Sequence, residues 1–176
     1  MDINYELTKQ DFIDFNIFHM SYSSTFKKVL FIQRYILPLI FFVVPFIIAS
    51  MSNVPLLYWI IAALLGYLLW ANFYPRLLKR IMAKKISEMI DEGKSAEFLG
   101  SRRLILNDDG IIGSSEHNES KTDWSSVGDV VETKSHIFIY IDSVSAHIVP
   151  IREFKNAEEK SKFIEKIECF KNKNKA

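Results

Sequence analysis

From Tyr35 to Pro75 the chain contains no Asp, Glu, Lys, Arg or His. Such a run exceeds the roughly 20 apolar residues that cross a hydrocarbon core of about 30 Å, and it suits two crossings. A polar break, Ser50-Met51-Ser52-Asn53, falls near its middle. The pattern predicts one transmembrane helix over about 35–51 and a second over 54–74 that returns to the starting side. Ser52-Asn53 followed by Pro55 is a helix start signal, since a first-turn proline costs no backbone hydrogen bond. Both segments are apolar on every face, as expected where lipid is the solvent. Pro38 and Pro45 lie seven apart on one face of the first helix, and each is expected to bend it. Ala62 and Gly66 form a small-xxx-small pair that permits close approach of another helix.

The flanks change period. Ile3 to Leu7 alternate and predict a short strand, and Thr8 with Asp11 three residues on resembles a helix cap. Phe12, Phe15, Phe18, Tyr22, Phe26 and Leu30 then recur at helical spacing, so residues 1–34 read as a strand and an amphipathic helix. After Pro75 the helical period continues through Leu78, Ile81, Met82, Ile86, Met89 and Ile90, giving a juxtamembrane helix over 76–93 with Gly93 as its C-cap. Beyond Lys94 the runs are short and alternating. They predict strands over 95–99, 102–106, 111–115, 121–124, 127–133, 137–141 and 146–150, with turns at Asn107-Asp108-Asp109-Gly110 and Asp142-Ser143-Val144-Ser145. Asn156 then caps a helix carrying Phe163, Ile164, Ile167 and Phe170 on one face.

Seven antiparallel strands followed by one amphipathic helix is the order of a pleckstrin-homology-like (PH-like) domain, whose helix plugs an open end of a bent sheet. The expected fold is therefore an α+β membrane protein: N-terminal amphipathic helix, transmembrane helical hairpin (35–75), and a PH-like antiparallel β domain with a C-terminal helix (94–176). Whether the N-terminal strand joins that sheet is open at the sequence level. The two-helix anchor, the Asp109-Gly110 hairpin, Asp123-Trp124-Ser125-Ser126-Val127 and Val149-Pro150-Ile151-Arg152-Glu153-Phe154 together resemble the YcxB-like family of bacterial membrane proteins. That resemblance implies architecture only, because the family is largely without an assigned biochemical activity.

Charge orients the hairpin. Lys27, Lys28 and Arg34 precede it, Arg76, Lys79, Arg80, Lys84 and Lys85 follow it, and the connecting loop is uncharged. By the positive-inside rule both termini are cytoplasmic in a multi-pass protein of the bacterial plasma membrane, with Trp59 and Trp70 marking the two interfaces. The same eight cations are able to attract anionic head groups. A net charge of +1 and a pI near 7.8 argue against a nucleic-acid partner. Cys169, the single cysteine, excludes an intrachain disulfide and reads as a small packing residue in a reducing compartment. Early acidic residues and a late apolar run do not fit a signal peptide, and the lysine-rich end from Lys171 is expected to fray.

Candidate chemistry is sparse. If Tyr140 faces His147, His136 lies about 13 Å away along the strand, too far to share a metal. With His19 and His117 in unrelated segments, all four histidines are expected at the surface. No nucleophile elbow or glycine-rich phosphate loop is present, so neither an enzyme nor a cofactor or metal is expected. Trp124 is either an exposed recognition residue or, more in keeping with a large aromatic in a small sheet domain, core. Arg152 either binds a phosphate or a partner carboxylate, or ties the strand end to Glu153, Glu158 or Glu159. The Arg102-Arg103 pair is a candidate head-group site by analogy with lipid-binding relatives of the fold. The expected function is a non-enzymatic module, anchored in the lipid bilayer, that binds another membrane or cytoplasmic protein. Alternatives are a subunit of an oligomeric transport or efflux assembly, which a homo-oligomer would supply, and a sensor of anionic inner-leaflet lipids.

Overall fold

The computed structural model describes residues 1–51, 53–93, 99–115 and 118–174. The chain forms two compact units, residues 17–85 and residues 1–16 with 86–176. Helices α1 (Lys9–Tyr22) and α4 (Leu56–Asp91) contribute residues to both.

In the first of these units the expected single helix up to residue 34 is interrupted. Ser23 takes an extended conformation (φ −62°, ψ 129°), ends α1 and caps α2 (Ser24–Phe31). The Ser23 side chain makes no capping bond, so the break inside the apolar period is carried by the extended backbone of that one residue. From α2 the chain passes through a π-helical segment, Ile32–Ile36, a 3-10 segment, Leu37–Phe42, and helix α3 (Val44–Met51). The first apolar span thus runs from Ser24 to Met51, and Lys27, Lys28 and Arg34 lie within it rather than before it. Pro38 and Pro45 sit in the first turns of the 3-10 segment and of α3, where the missing N–H is costless, and both are buried.

Helix α4 passes through Pro75 without ending, so the second span and the juxtamembrane helix are one element. Proline removes the donor that the Ala71 carbonyl would receive four residues later. Arg34 replaces it, donating from Nε to that carbonyl at 2.8 Å. A similar repair acts on the π-helical segment. Leu37 N–H bonds to the Ile32 carbonyl, so in the same register Gln33 would be served by Pro38, which has no N–H. The Trp70 indole donates to the Gln33 carbonyl at 3.2 Å instead, and the Tyr67 hydroxyl reaches the Tyr35 carbonyl at 3.4 Å. A buried backbone group left without a partner costs about 1–3 kcal/mol, which these side-chain donors avoid. A Cβ added at Gly66 would meet nothing within 4 Å, so the Ala62/Gly66 pair does not bring the helices of one chain together. Both spans are long and apolar enough to cross a membrane, and only 11% and 6% of their most apolar windows are buried, unlike soluble core helices.

The second unit holds the sheets. Strand β1 (Asp2–Leu7) pairs antiparallel with β2 (Gly100–Asn107), which continues to β3 (Gly110–Ser115) and β4 (Glu119–Thr122). Tyr5 lies opposite Arg102 and Leu7 opposite Gly100, so the N-terminal strand does join the sheet. A second sheet holds β5 (Val130–Glu132), β6 (His136–Tyr140) and β7 (Ala146–Pro150), and helix α5 (Ala157–Lys173) follows. The expected strand over 95–99 falls almost wholly outside the described residues. The expected strand ending at Trp124 stops at Thr122, and Trp124 opens a short 3-10 turn, Trp124–Ser126. The next strand shrinks from 127–133 to Val130–Glu132.

Turn chemistry explains the registers. Asn107 Oδ1 accepts from the N–H groups of Asp109 and Gly110, and Gly110 has φ +155° with Thr122 O only 2.4 Å from where a Cβ would sit. Asp142 Oδ1 accepts from Val144 and Ser145 N–H, closing a loop over 141–145. That loop is longer than a tight turn, so His147 faces Ile139 and not Tyr140. Strand β6, central in its sheet, is buried along its whole length. Phe163 and Ile167 of α5 are fully buried, as are Leu104, Leu106, Ile111 and Val149 of the strands, each contributing about 2 kcal/mol by area. Asn156 caps α5 by accepting from Glu159 N–H.

Candidate functional site

Asp11 sits at the third position of α1, where a carboxylate reaches back to its own N-cap. Its Oδ2 accepts from Thr8 N–H at 2.8 Å and from the Thr8 hydroxyl at 2.6 Å. Its side chain is only 3% exposed, yet it also meets two distant elements. Arg152, in the 3-10 turn Ile151–Glu153 after β7, grips both carboxylate oxygens at 2.7 Å and donates to the Glu6 carbonyl at 3.0 Å. His136, the first residue of β6, approaches Asp11 Oδ1 with Nε2 at 2.7 Å. Burial pushes the Asp11 carboxyl up, but hydrogen bonds from Arg152, Thr8 and His136 together outweigh it and hold the group well below the usual carboxylate range. Arg152 also touches Glu153 at 3.2 Å. Its main partner is thus Asp11 rather than a neighbour in sequence.

Ser135 Oγ lies 2.9 Å from His136 Nδ1, so Ser135, His136 and Asp11 form the chain of contacts used in acyl transfer. With Nε2 protonated towards the carboxylate, Nδ1 accepts from the serine hydroxyl. Two features oppose catalysis. Arg152 already neutralises the carboxylate that would stabilise an imidazolium, and Ser135 is exposed on a turn and does not line the cavity of its own unit described below. The arrangement is a clasp between the chain start and the end of the second sheet.

A cavity of about 480 Å³ opens in the same unit, within the size range of small-ligand and peptide side-chain pockets. Tyr5, Leu7, Phe12 and Phe15 form an apolar wall, and Arg102, Ser114, Ser120 and His147 a polar one. Val144 and Ser145 stand at its lip, and no carboxylate lines it among the described residues. Arg102 shares a strand face with Leu104 and Leu106, whereas Arg103 faces away and pairs with Asp2. Both arginines nonetheless line the cavity. His147 packs on bare backbone: a Cβ at Gly113 would lie 3.0 Å from its ring. Burial first, and the Arg102 charge second, push His147 down to about 4, so it is neutral near pH 7.

Trp124 is 2% exposed, donates its indole N–H to the Asn107 carbonyl at 2.9 Å and packs on Phe170 at 5.2 Å. It lies in the core. The expectation of surface histidines is overturned for His19 and His136, which are buried; His147 is half-buried, and His117 lies outside the described residues. Among the described residues no three His, Cys, Asp or Glu side chains converge on a metal position. Cys169 is exposed, one position off the stripe of Phe163, Ile167 and Phe170, rather than packed. Asp11 escaped sequence reading because its partners lie 125 and 141 positions away, and only its capping spacing with Thr8 was visible.

These features define a mixed helix-and-sheet protein with two long apolar helices, two antiparallel sheets and a closing helix. Residues 106–167 match the model of the YcxB-like protein family. The matched stretch holds Trp124 and the Val149–Phe154 segment that carry the resemblance, and it leaves out β1, the apolar helices and Arg102. No curated protein and no solved structure matches the chain.

Proposed function

We propose that this chain is a membrane-anchored interaction module, in which a transmembrane hairpin holds a PH-like β unit at the cytoplasmic face and the β unit binds a protein partner without performing chemistry. The observation that carries the reading is the pairing of β1 with β2. The chain before the apolar helices and the chain after them enter one sheet, which requires an even number of crossings and agrees with a hairpin. Eight Lys and Arg residues on either side of the charge-free stretch 35–75, with none in the loop at its middle, support cytoplasmic placement of that unit. Four strands, three strands and a closing helix support PH-like architecture. The cavity, with one apolar and one cationic wall, suits a partner segment bearing an apolar side chain beside an acidic one.

The test is crosslinked affinity purification of the full-length chain from its native membrane, with Val144→Asp and Ser120→Trp run beside it. Both positions line the cavity without belonging to the core. A specific partner lost with both variants, while near-UV circular dichroism stays unchanged, is the expected result. A partner retained by both, or a turnover abolished by Ser135→Ala, would overturn the proposal.

A further inference from the structure

The unit of residues 17–85 contains a second cavity, of about 270 Å³, between the end of α1, α2 and α4. Leu30, Phe31 and Leu78 make its wall, and Lys27, Arg34 and Lys79 stand round its rim. The Arg34 Nε is committed to the Ala71 carbonyl that Pro75 leaves without a donor, which fixes the guanidinium at the groove. Among the described residues no carboxylate pairs with Lys27, Arg34 or Lys79. Indeed residues 17–85 carry eight Lys and Arg and no Asp or Glu.

We propose that this groove is a binding site for an anionic phospholipid of the inner leaflet, its phosphate held by Lys27, Arg34 and Lys79 and part of one acyl chain laid against Leu30, Phe31 and Leu78. The inference rests on the membrane reading above. Three observations select this occupant. The groove lies where the charge-free stretch of α4 ends at Pro75, the level at which hydrocarbon gives way to head groups. It joins an apolar wall to lining residues whose charged side chains are all cations, the complement of an amphiphile with one anionic end. Its volume is below the range of about 300–1,000 Å³ that encloses whole ligands, so it takes a segment of a molecule whose remainder lies in the bilayer.

The experiment is native mass spectrometry of the full chain released from bilayers of phosphatidylcholine and phosphatidylglycerol. Lys27→Gln/Lys79→Gln is compared with Arg76→Gln/Arg80→Gln, which removes the same charge from side chains that do not line the groove. Arg34 is left intact because its helix repair is structural. The expected result is preferential retention of phosphatidylglycerol, reduced about tenfold or more in the groove pair and unchanged in the control pair. Equal loss in both pairs would mean diffuse attraction and overturn the site, as would no preference for phosphatidylglycerol, or an acidic polypeptide retained in its place. Alkaline carbonate extraction separates the two failures: release of the chain sinks the membrane reading, whereas an embedded chain without lipid preference sinks this site alone.

Discussion

Asp11 and His147 are both held in their less protonated forms, but in separate pH windows. The Asp11 carboxyl lies below its ordinary value of 3.8, so its contribution is present above that value and lost as pH falls below it. His147 falls from 6.5 to about 4. The unfolded chain binds its proton first, so stability is full above 6.5 and declines on acidification until about 4, by about 3 kcal/mol at most. Apparent melting temperatures of the full chain in detergent, followed from about pH 7 to 3, should show both declines. His147→Gln flattens the upper window and Asp11→Asn the lower; a wild-type profile without the upper decline refutes the His147 account. Replacing Asp11 by Ala at neutral pH should cost about 2–3 kcal/mol, less than a fully buried pair because Arg152 is half exposed. For the same reason Arg152→Glu is a folding variant rather than a probe of partner binding.

Element identity was legible where it depended on local chemistry. The Asn107 and Asp142 turns, the Asn156 cap and the Gly93 terminus all follow from residues within a few positions of one another. Reading failed where distant atoms decide. Nothing local to Gln33, Arg34 or Tyr35 announces a π-helical segment, because its carbonyls are repaired from α4. Nor could Thr8 and Asp11 reveal that the carboxylate they share is also held by Arg152 and His136. The Arg34–Ala71 repair has a testable sign. Arg34→Leu should destabilise by about 1–3 kcal/mol through an orphaned carbonyl. Pro75→Ala returns the helix N–H to Ala71, so the double variant should recover most of that loss. Additive effects of the two changes in thermal unfolding would refute the repair.

At the scale of the whole molecule, the chain leaves and re-enters one sheet around an apolar insertion. Strand alternation in residues 3–7 was readable, but its partner was not, since Leu7 and Gly100 are 93 positions apart (100 − 7). The exposed Cys169 supplies a natural reporter of orientation. In intact cells a membrane-impermeant maleimide should label Asn53→Cys, made in a Cys169→Ser background, at once. Native Cys169 should label only after permeabilisation, and the reverse pattern would invert the topology. Removing residues 1–8 should abolish the folded β unit, because Tyr5 and Leu7 leave the core and β2 loses its neighbour; a truncated chain with wild-type protease resistance would refute this.

The split sheet also imposes an order on biosynthesis. Strand β1 leaves the ribosome long before β2 exists, and on the proposed membrane reading it waits while both apolar helices are delivered to the bilayer. Should only one helix insert, β1 and β2 end on opposite sides and Leu104 and Leu106 stay uncovered beside a bare strand edge, the kind of surface that proteases and chaperones recognise. On that reading, completion of the β1–β2 pairing would depend on correct threading of the hairpin. In a staged translation assay a disulfide engineered between Asn4→Cys and Arg103→Cys, which face each other across the two strands, should form only after both helices have inserted.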